Sequence, residues 1–162
     1  MRRTSFADMP CSIARTLDVV GEWWSLLIVR DAFLGVTRFD EWQRRLGIAR
    51  NVLTARLEHL VEQGVFERRR YQERPPREEY VLTRKGRDLA PVLGALRAWG
   101  DRHEPTPGGP TTLLVHDDCG HTTELVQTCS HCDERLRPGT THIEPGPGSV
   151  DPTFVRDGRP AD

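Results

Sequence analysis

The chain has no apolar stretch long enough to span a membrane. Its most hydrophobic run, Leu26–Val29, falls far short of the roughly 20 residues a spanning helix needs. The N-terminal MRRTSFADMP lacks the apolar run of a signal peptide, so a cytoplasmic location without a membrane partner is expected. Cysteine is scarce, with four in all, and without a secretory signal these do not suggest a disulfide scaffold. Reduced thiols, metal-bound or redox-active, fit that setting better. Catalytic constellations are missing as well. No Ser-His-Asp order is tied to a nucleophile elbow and no glycine loop is built to cradle phosphate, so no enzymatic activity is expected. Net charge is almost absent at −1.

That near-neutrality hides a polarity. Residues 1–104 carry 19 Arg+Lys against 15 Asp+Glu, a net of +4, whereas 105–162 carry 4 against 9, a net of −5. The interval 44–77 alone holds 9 Arg against 4 Glu. Such a distribution favours a local contact with a polyanion over a generally sticky surface. With 162 residues, 36% of them hydrophobic, the chain can bury one core and carry a small appendage.

The most informative stretch is Phe39–Gly64, FDEWQRRLGIARNVLTARLEHLVEQG. It reads as two short helices with a turn at Gly47 and a stop at Gly64. The second carries a buried stripe at Leu53, Leu57, Leu60 and Val61. Asn51, Ala55 and Glu58 project opposite, with Thr54 and Arg56 on the flanks. Arg and Asn can each make paired hydrogen bonds to one base edge, and Ala permits close approach, so this face suits a DNA major groove. An ordinary surface helix is the plainer alternative.

Upstream, Cys11–Val20 has a helix-compatible apolar face at Ile13, Ala14, Leu17 and Val20. Trp23–Phe33 is a strongly apolar helix whose Trp24, Leu27, Ile28 and Phe33 are expected at the centre of the core. Downstream, Val65–Gln72 and Glu78–Thr83 read as strands joined by Glu73–Arg77, where Pro75 and Pro76 cannot serve a sheet ladder. Helix, turn, helix and an Arg-bearing ribbon is the order of a winged helix. Arg50, Asn51, Thr54 and Arg56, with Arg68, Arg70, Arg74 and Arg77 of the ribbon, are the candidate DNA contacts. Thr83 reads as the N-cap of a last helix, Arg84–His103, kinked or restarted at Pro91. Its stripe Leu89, Val92, Leu93, Leu96 and Trp99 has little core left to cover, so a second copy of the chain is the expected partner.

These residues resemble HxlR-type transcriptional regulators, relatives of the MarR-like winged helices. The resemblance lies in Cys11-Ser-Ile-Ala…Gly21-Glu-Trp-Trp24…Arg30-Asp31, in Gly35…Arg38-Phe39-Asp-Glu41, in Asn51-Val-Leu-Thr54-Ala-Arg56-Leu57, and in Pro75-Pro-Arg77-Glu-Glu-Tyr80-Val-Leu-Thr83…Gly86. It runs from about Cys11 to Trp99. The family implies a cytosolic bacterial homodimer, built from its first and last helices, that binds palindrome-like operators. Two departures stand out: Ala49 where many relatives have Ser, and Trp23 where a basic residue is common. Some members that resemble this chain place a Cys at the start of the first helix, where it senses oxidants, quinones or electrophiles. Cys11 is the corresponding candidate. A helix N-terminus favours a thiolate, although an inert, buried interface Cys is the plainer reading.

Pro105–Pro110 reads as a linker. In 111–136, His116-x2-Cys119 and Cys129-x2-Cys132 have the layout of a small zinc ribbon with two turns, each offering two ligands. Spacing favours His116 as the fourth ligand, with His121 and His131 as alternatives. Thr111–Val115 and Thr122–Val126 are expected to be short strands, and 137–162 a disordered tail. The expected architecture is therefore mainly α with a small β-wing: a winged helix-turn-helix domain over 1–104, a linker over 105–110, and a zinc-ribbon-like module over 111–136. The expected function is a homodimeric, sequence-specific regulator on double-stranded DNA, acting as a repressor under a redox, electrophile or small-molecule inducer. The competing class is a protein-interaction module or antirepressor that retains the fold without operator binding.

Overall fold

Two glycines in left-handed conformation set the geometry of the reading unit. Gly47 (φ 61°) turns the chain out of one helix and Gly64 (φ 69°) ends the next, both in a region that side chains with a Cβ rarely enter. The computed structural model describes residues 5, 6 and 8–149. Its elements are α1 (Ser12–Val20), α2 (Trp23–Phe33), α3 (Phe39–Leu46), α4 (Arg50–Glu62), β1 (Phe66–Gln72), β2 (Arg77–Leu82), α5 (Arg84–Arg87) and α6 (Ala90–His103). β1 and β2 form an antiparallel hairpin, from Phe66 opposite Leu82 out to Gln72 opposite Arg77, with an irregularity between Arg70 and Gln72. The chain divides into two compact units between Gly94 and Ala95, inside α6 and ahead of the linker read from the sequence.

The core of the first unit is centred on Trp42 of α3, fully buried in a segment otherwise rich in charge. Its indole Nε1 donates to the Ile28 carbonyl at 3.1 Å, and its ring meets Phe66 and Tyr80 edge-on, with centroids 5.8 and 6.1 Å apart. Ile28 and Val29 of α2 and Leu53, Leu57 and Leu60 of α4 complete the centre. This corrects the sequence expectation for α2. Ile28 is central, but Trp24 and Leu27 are half-buried and Phe33 is 40% exposed. Below the core, the buried Asp31 carboxylate accepts from Arg30 at 2.8 and 2.9 Å and from Arg45 at 3.2 Å, tying α2 to α3 with charge-assisted bonds.

The C-terminal end of α4 is held mainly by polar groups. Thr83 donates its hydroxyl to the Gly64 carbonyl at 2.6 Å, while its oxygen accepts from the Gly86 amide and caps α5. Lys85 Nζ reaches the Gln63 carbonyl at 2.7 Å. Gly86 lies so close to Val65 that a Cβ there would run into the Val65 carbonyl oxygen. Carbonyls that a helix end leaves without partners are thus satisfied by the chain returning from the wing.

The last helix is interrupted, as Pro91 requires. α5 is a single turn, and α6 begins at Ala90 with Pro91 in its first turn, where a missing N–H costs nothing. Leu89 and Leu93 pack against the core, so the apolar stripe expected to lack any partner is shorter than the sequence suggested. Val92, Leu96 and Trp99 remain exposed, at 40, 49 and 60%.

In the second unit the strands expected at 111–115 and 122–126 reduce to a single bridge, Val115 with Thr122, and a separate bridge pairs Thr128 with Arg135. Hairpins this short cannot build a ladder. Of the tail expected to be disordered, residues 137–149 contain turns without helix or strand, and 150–162 lie outside the described residues.

Candidate nucleic-acid interface

α4 presents two opposed faces. Leu53, Leu57 and Leu60 have no exposed surface, whereas Asn51, Ala55 and Glu58 face solvent. Thr54 and Arg56 lie half-buried on the flanks. The N-cap position is Ala49, so the first turn of α4 has no side-chain cap, as its departure from the family pattern implied. Thr54 donates its hydroxyl proton to the Arg50 carbonyl at 2.9 Å, which leaves its methyl group and lone pairs for contacts outside the helix. The Arg50 guanidinium stacks over the Phe39 ring at 5.0 Å.

Arg56 has a partner that sequence reading did not foresee. Its Nη1 lies 3.4 Å from the Glu22 carboxylate, at the residue that precedes α2. The two are distant in sequence, and no helical spacing pairs them. A second polar link runs in parallel: His59 Nε2, also on α4, donates to the Val19 carbonyl of α1 at 3.1 Å. The helix carrying the candidate base-reading face is therefore tied to the α1–α2 junction at two points. Trp23, the other departure, opens α2 and is 86% exposed.

The wing sorts its arginines into engaged and free. Arg69 forms a two-pronged contact to Glu79 at 2.7 and 2.9 Å. That guanidinium, with a hydrogen bond from Thr37 behind it, holds the Glu79 carboxyl below its ordinary range. Arg70 lies 3.4 Å from Glu73, and Arg68 lies 5.9 Å over the Tyr80 ring. Arg38, just before α3, covers the Tyr71 ring at 4.7 Å. Arg74 and Arg77 at the tip are exposed and form no ion pair among the described residues. The root of the wing is anchored by the Tyr80 amide, which donates to the Thr37 carbonyl at 2.8 Å. Of the eight positions singled out in the sequence, the structure brings Arg50, Asn51, Thr54 and Arg56 onto one helix and the rest onto one hairpin.

Cys11 occupies the N-cap position of α1, half-buried, and its side chain makes no capping hydrogen bond. The remaining cysteines lie in the second unit, each in a tight turn. His116 Nδ1 stands 3.2 Å from Cys119 Sγ. The amides of His131 and Cys132 donate to the Cys129 sulfur and, with the Cys132 side chain, lower its thiol pKa. Among the described residues, no three His, Cys, Asp or Glu side chains converge on one point. Nor is any helix there long and apolar enough to cross a membrane.

Comparison with known proteins agrees with this architecture. The HxlR-like helix-turn-helix family matches residues 19–107. The chain is 46% identical over 137 residues to an uncharacterized HTH-type transcriptional regulator of Mycobacterium tuberculosis, covering 85% of this chain and 87% of that one. The crystal structure of PA1607, a candidate transcription factor, is similar at a TM-score of 0.78 and 42% identity, over 87% of this chain and 99% of that one. The redox regulator HypR in its oxidized form is similar at a TM-score of 0.54 and 33% identity, over 59% of this chain and all of that one (100%). The PA1607 match is longer than residues 1–104 can supply, so it extends into the second unit. By its helix order, its wing and these matches, the chain belongs to the HxlR-like helix-turn-helix family.

Proposed function

We propose that this protein is a homodimeric, sequence-specific DNA-binding transcriptional regulator, a repressor released by a redox, electrophile or small-molecule signal. The observation that carries the reading is the solvent-facing Asn51/Ala55 side of α4, whose opposite side is fully buried, next to a wing tipped with unpaired arginines. The naming of relatives as HTH-type transcriptional regulators supports it. In this reading α4 lies in the major groove, with Asn51 and Arg56 on base edges and the Thr54 methyl near a thymine methyl. Arg50 and the wing residues Arg68, Arg70, Arg74 and Arg77 hold phosphate or the minor groove. Glu22 orients Arg56 until DNA arrives.

Single changes Asn51→Ala and Arg56→Ala should each relax discrimination at one base pair by about 1–3 kcal/mol. Affinity measured across a set of single-base operator variants reads this directly. If Asn51→Ala, Thr54→Ala and Arg56→Ala all left the operator profile unchanged, α4 would not be the reading helix.

The dimer is proposed to form through the apolar side chains that α1 and α6 each expose, Ile13 (72% exposed) on the one and Leu96 and Trp99 on the other. A two-fold contact of this kind sets two α4 helices about 34 Å apart or a multiple of that. Sedimentation at micromolar concentration should give twice the chain mass of 18.5 kDa. A monomer that bound a full operator tightly would refute this arrangement.

Cys11 sits at the start of the same contact, so its oxidation or alkylation would alter the dimer rather than block DNA directly. Cys11→Ser is expected to bind DNA as the parent does and to lose the response to quinone or peroxide. A variant that still responded would move the sensing role elsewhere. For a small-molecule signal, a cleft of about 410 Å³ lies between α1, the end of α4 and α5, lined by Arg15, Val20, Gln63, Lys85 and Leu89. In the second unit, His116, Cys119, Cys129 and Cys132 are proposed to hold a structural zinc ion.

A further inference from the structure

Between 104 and 149 not one residue is buried. Leu113, Val115, Leu125 and Val126 remain 65, 48, 52 and 50% exposed. A segment with no core of its own needs another source of order. What it has instead are two turns of one design. In the first, the Val115–Thr122 bridge closes around His116 and Cys119, the Gly120 amide donates to the His116 carbonyl at 2.7 Å, and Gly120 takes φ 70° directly after Cys119. In the second, the Thr128–Arg135 bridge closes around Cys129 and Cys132, and the Asp133 amide donates to the Cys129 carbonyl at 3.0 Å. Asp133 then takes φ 58° directly after Cys132, the slot that glycine fills in the first turn. Among side chains with a Cβ, only Asn and Asp enter that region with any regularity.

We infer that these turns are the two halves of one zinc site, in which His116 is the fourth ligand, bound through Nδ1, and Asp118 is the carboxylate that positions it. The inference rests on the structural zinc proposed above and adds the ligand atom and the positioning residue. Two ligands on a tetrahedral zinc, with Zn–N near 2.0–2.1 Å and Zn–S near 2.3 Å, stand about 3.5 Å apart. His116 Nδ1 and Cys119 Sγ, at 3.2 Å, are close to that chelating spacing. The other ring nitrogen, Nε2, lies 3.8 Å from Asp118 Oδ2. That is too long for a direct hydrogen bond, so the carboxylate is proposed to orient the ring through one bridging water. His121 lies at the far side of the same hairpin, where its carbonyl accepts from the His116 amide at 3.0 Å. His131 lies within the second turn, its own amide directed to the Cys129 sulfur. Among the described residues the two pairs are not gathered around one point, so the proposal requires the ion to draw the two hairpins together.

The test uses the full chain, purified without chelator and titrated with Zn²⁺ or Co²⁺ alone. The parent should take up about one equivalent, and its Co²⁺ form should show thiolate charge-transfer bands with intense tetrahedral ligand-field bands. Uptake below about one tenth of an equivalent, or a weak six-coordinate spectrum, would overturn the zinc reading itself. Given a loaded parent, His116→Ala should shift the ligand-field bands, whereas His121→Ala and His131→Ala should leave them in place. His116→Cys, which restores a ligand, should recover tight binding. Asp118→Asn should weaken zinc about tenfold without moving the bands, and only while His116 is present. Unchanged bands and affinity in His116→Ala would refute the ligand assignment. An Asp118→Asn effect of the same size with and without His116 would refute the positioning role. In both cases the zinc reading, judged on the parent, would stand.

Discussion

Replacing Arg74 and Arg77 together by alanine is expected to weaken binding to every duplex by the same factor and to flatten its dependence on salt. Both side chains stand at the tip of the β1–β2 hairpin without an ion-pair partner among the described residues, so DNA phosphate would displace no existing contact. Each phosphate neutralised contributes about 0.9 to the slope of log K against log salt. In the proposed dimer, two residues in each of two protomers would make four contacts, and their loss should make the slope shallower by about 3.6. Anisotropy titrations on operator and on unrelated duplex, across a salt series, give both slopes. Arg69→Ala is the internal control, because Arg69 is engaged with Glu79 and should leave the slope almost unchanged. An unaltered slope in the double variant would remove the wing tip from the interface. A parent protein with no salt dependence at all would favour the protein-interaction reading.

The largest stability effect should come from Trp42→Ala. The side chain is fully buried, donates a hydrogen bond to the Ile28 carbonyl and contacts the rings of Phe66 and Tyr80. Truncation removes that packing, leaves a cavity and forfeits the indole hydrogen bond, for a loss of about 3–5 kcal/mol. Set against the roughly 5–15 kcal/mol that holds a typical domain together, this brings the chain close to unfolding at physiological temperature. Trp42→Phe should cost less, since it keeps a ring and forfeits only the indole N–H and part of the volume. Denaturant midpoints of the three proteins provide the measurement. A shift below about 1 kcal/mol for Trp42→Ala would mean that α2, α3 and the wing do not share this core.

Trp42 also shows where sequence reading ran out. FDEWQRRL offers a single aromatic among charges, and nothing in its spacing says that two strands will close over it. The helices themselves were legible, because Gly47 and Gly64 bracket a stripe at Leu53, Leu57 and Leu60 that fits only an α-helical period. Hydrophobicity alone places Phe33 in the core. It lies at the end of α2, and 40% of its surface is exposed. Leu89 looks like an interface residue in the sequence because the partner it meets comes from elsewhere in the chain. The same blindness to distance hid the Glu22–Arg56 pair, which changes the free-state surroundings of a candidate reading residue. The paired turns of the second unit are visible in their spacing, whereas the nearness of His116 to Cys119 and Asp118 is not.

The hold of Thr83, Lys85 and Gly86 on the far end of α4 has a consequence for how such a regulator can evolve and respond. The recognition helix, the root of the wing and α5 are fastened largely through main-chain oxygens, so side-chain substitution has little leverage over the angle between them. Each protomer then carries its reading head as a fixed stamp. In the proposed dimer, an inducer acting at the subunit interface would change the distance between two stamps and leave the imprint of each intact. Derepression would therefore appear as an altered tolerance for spacer length between half-sites, with the preferred letters of each half-site the same in both states.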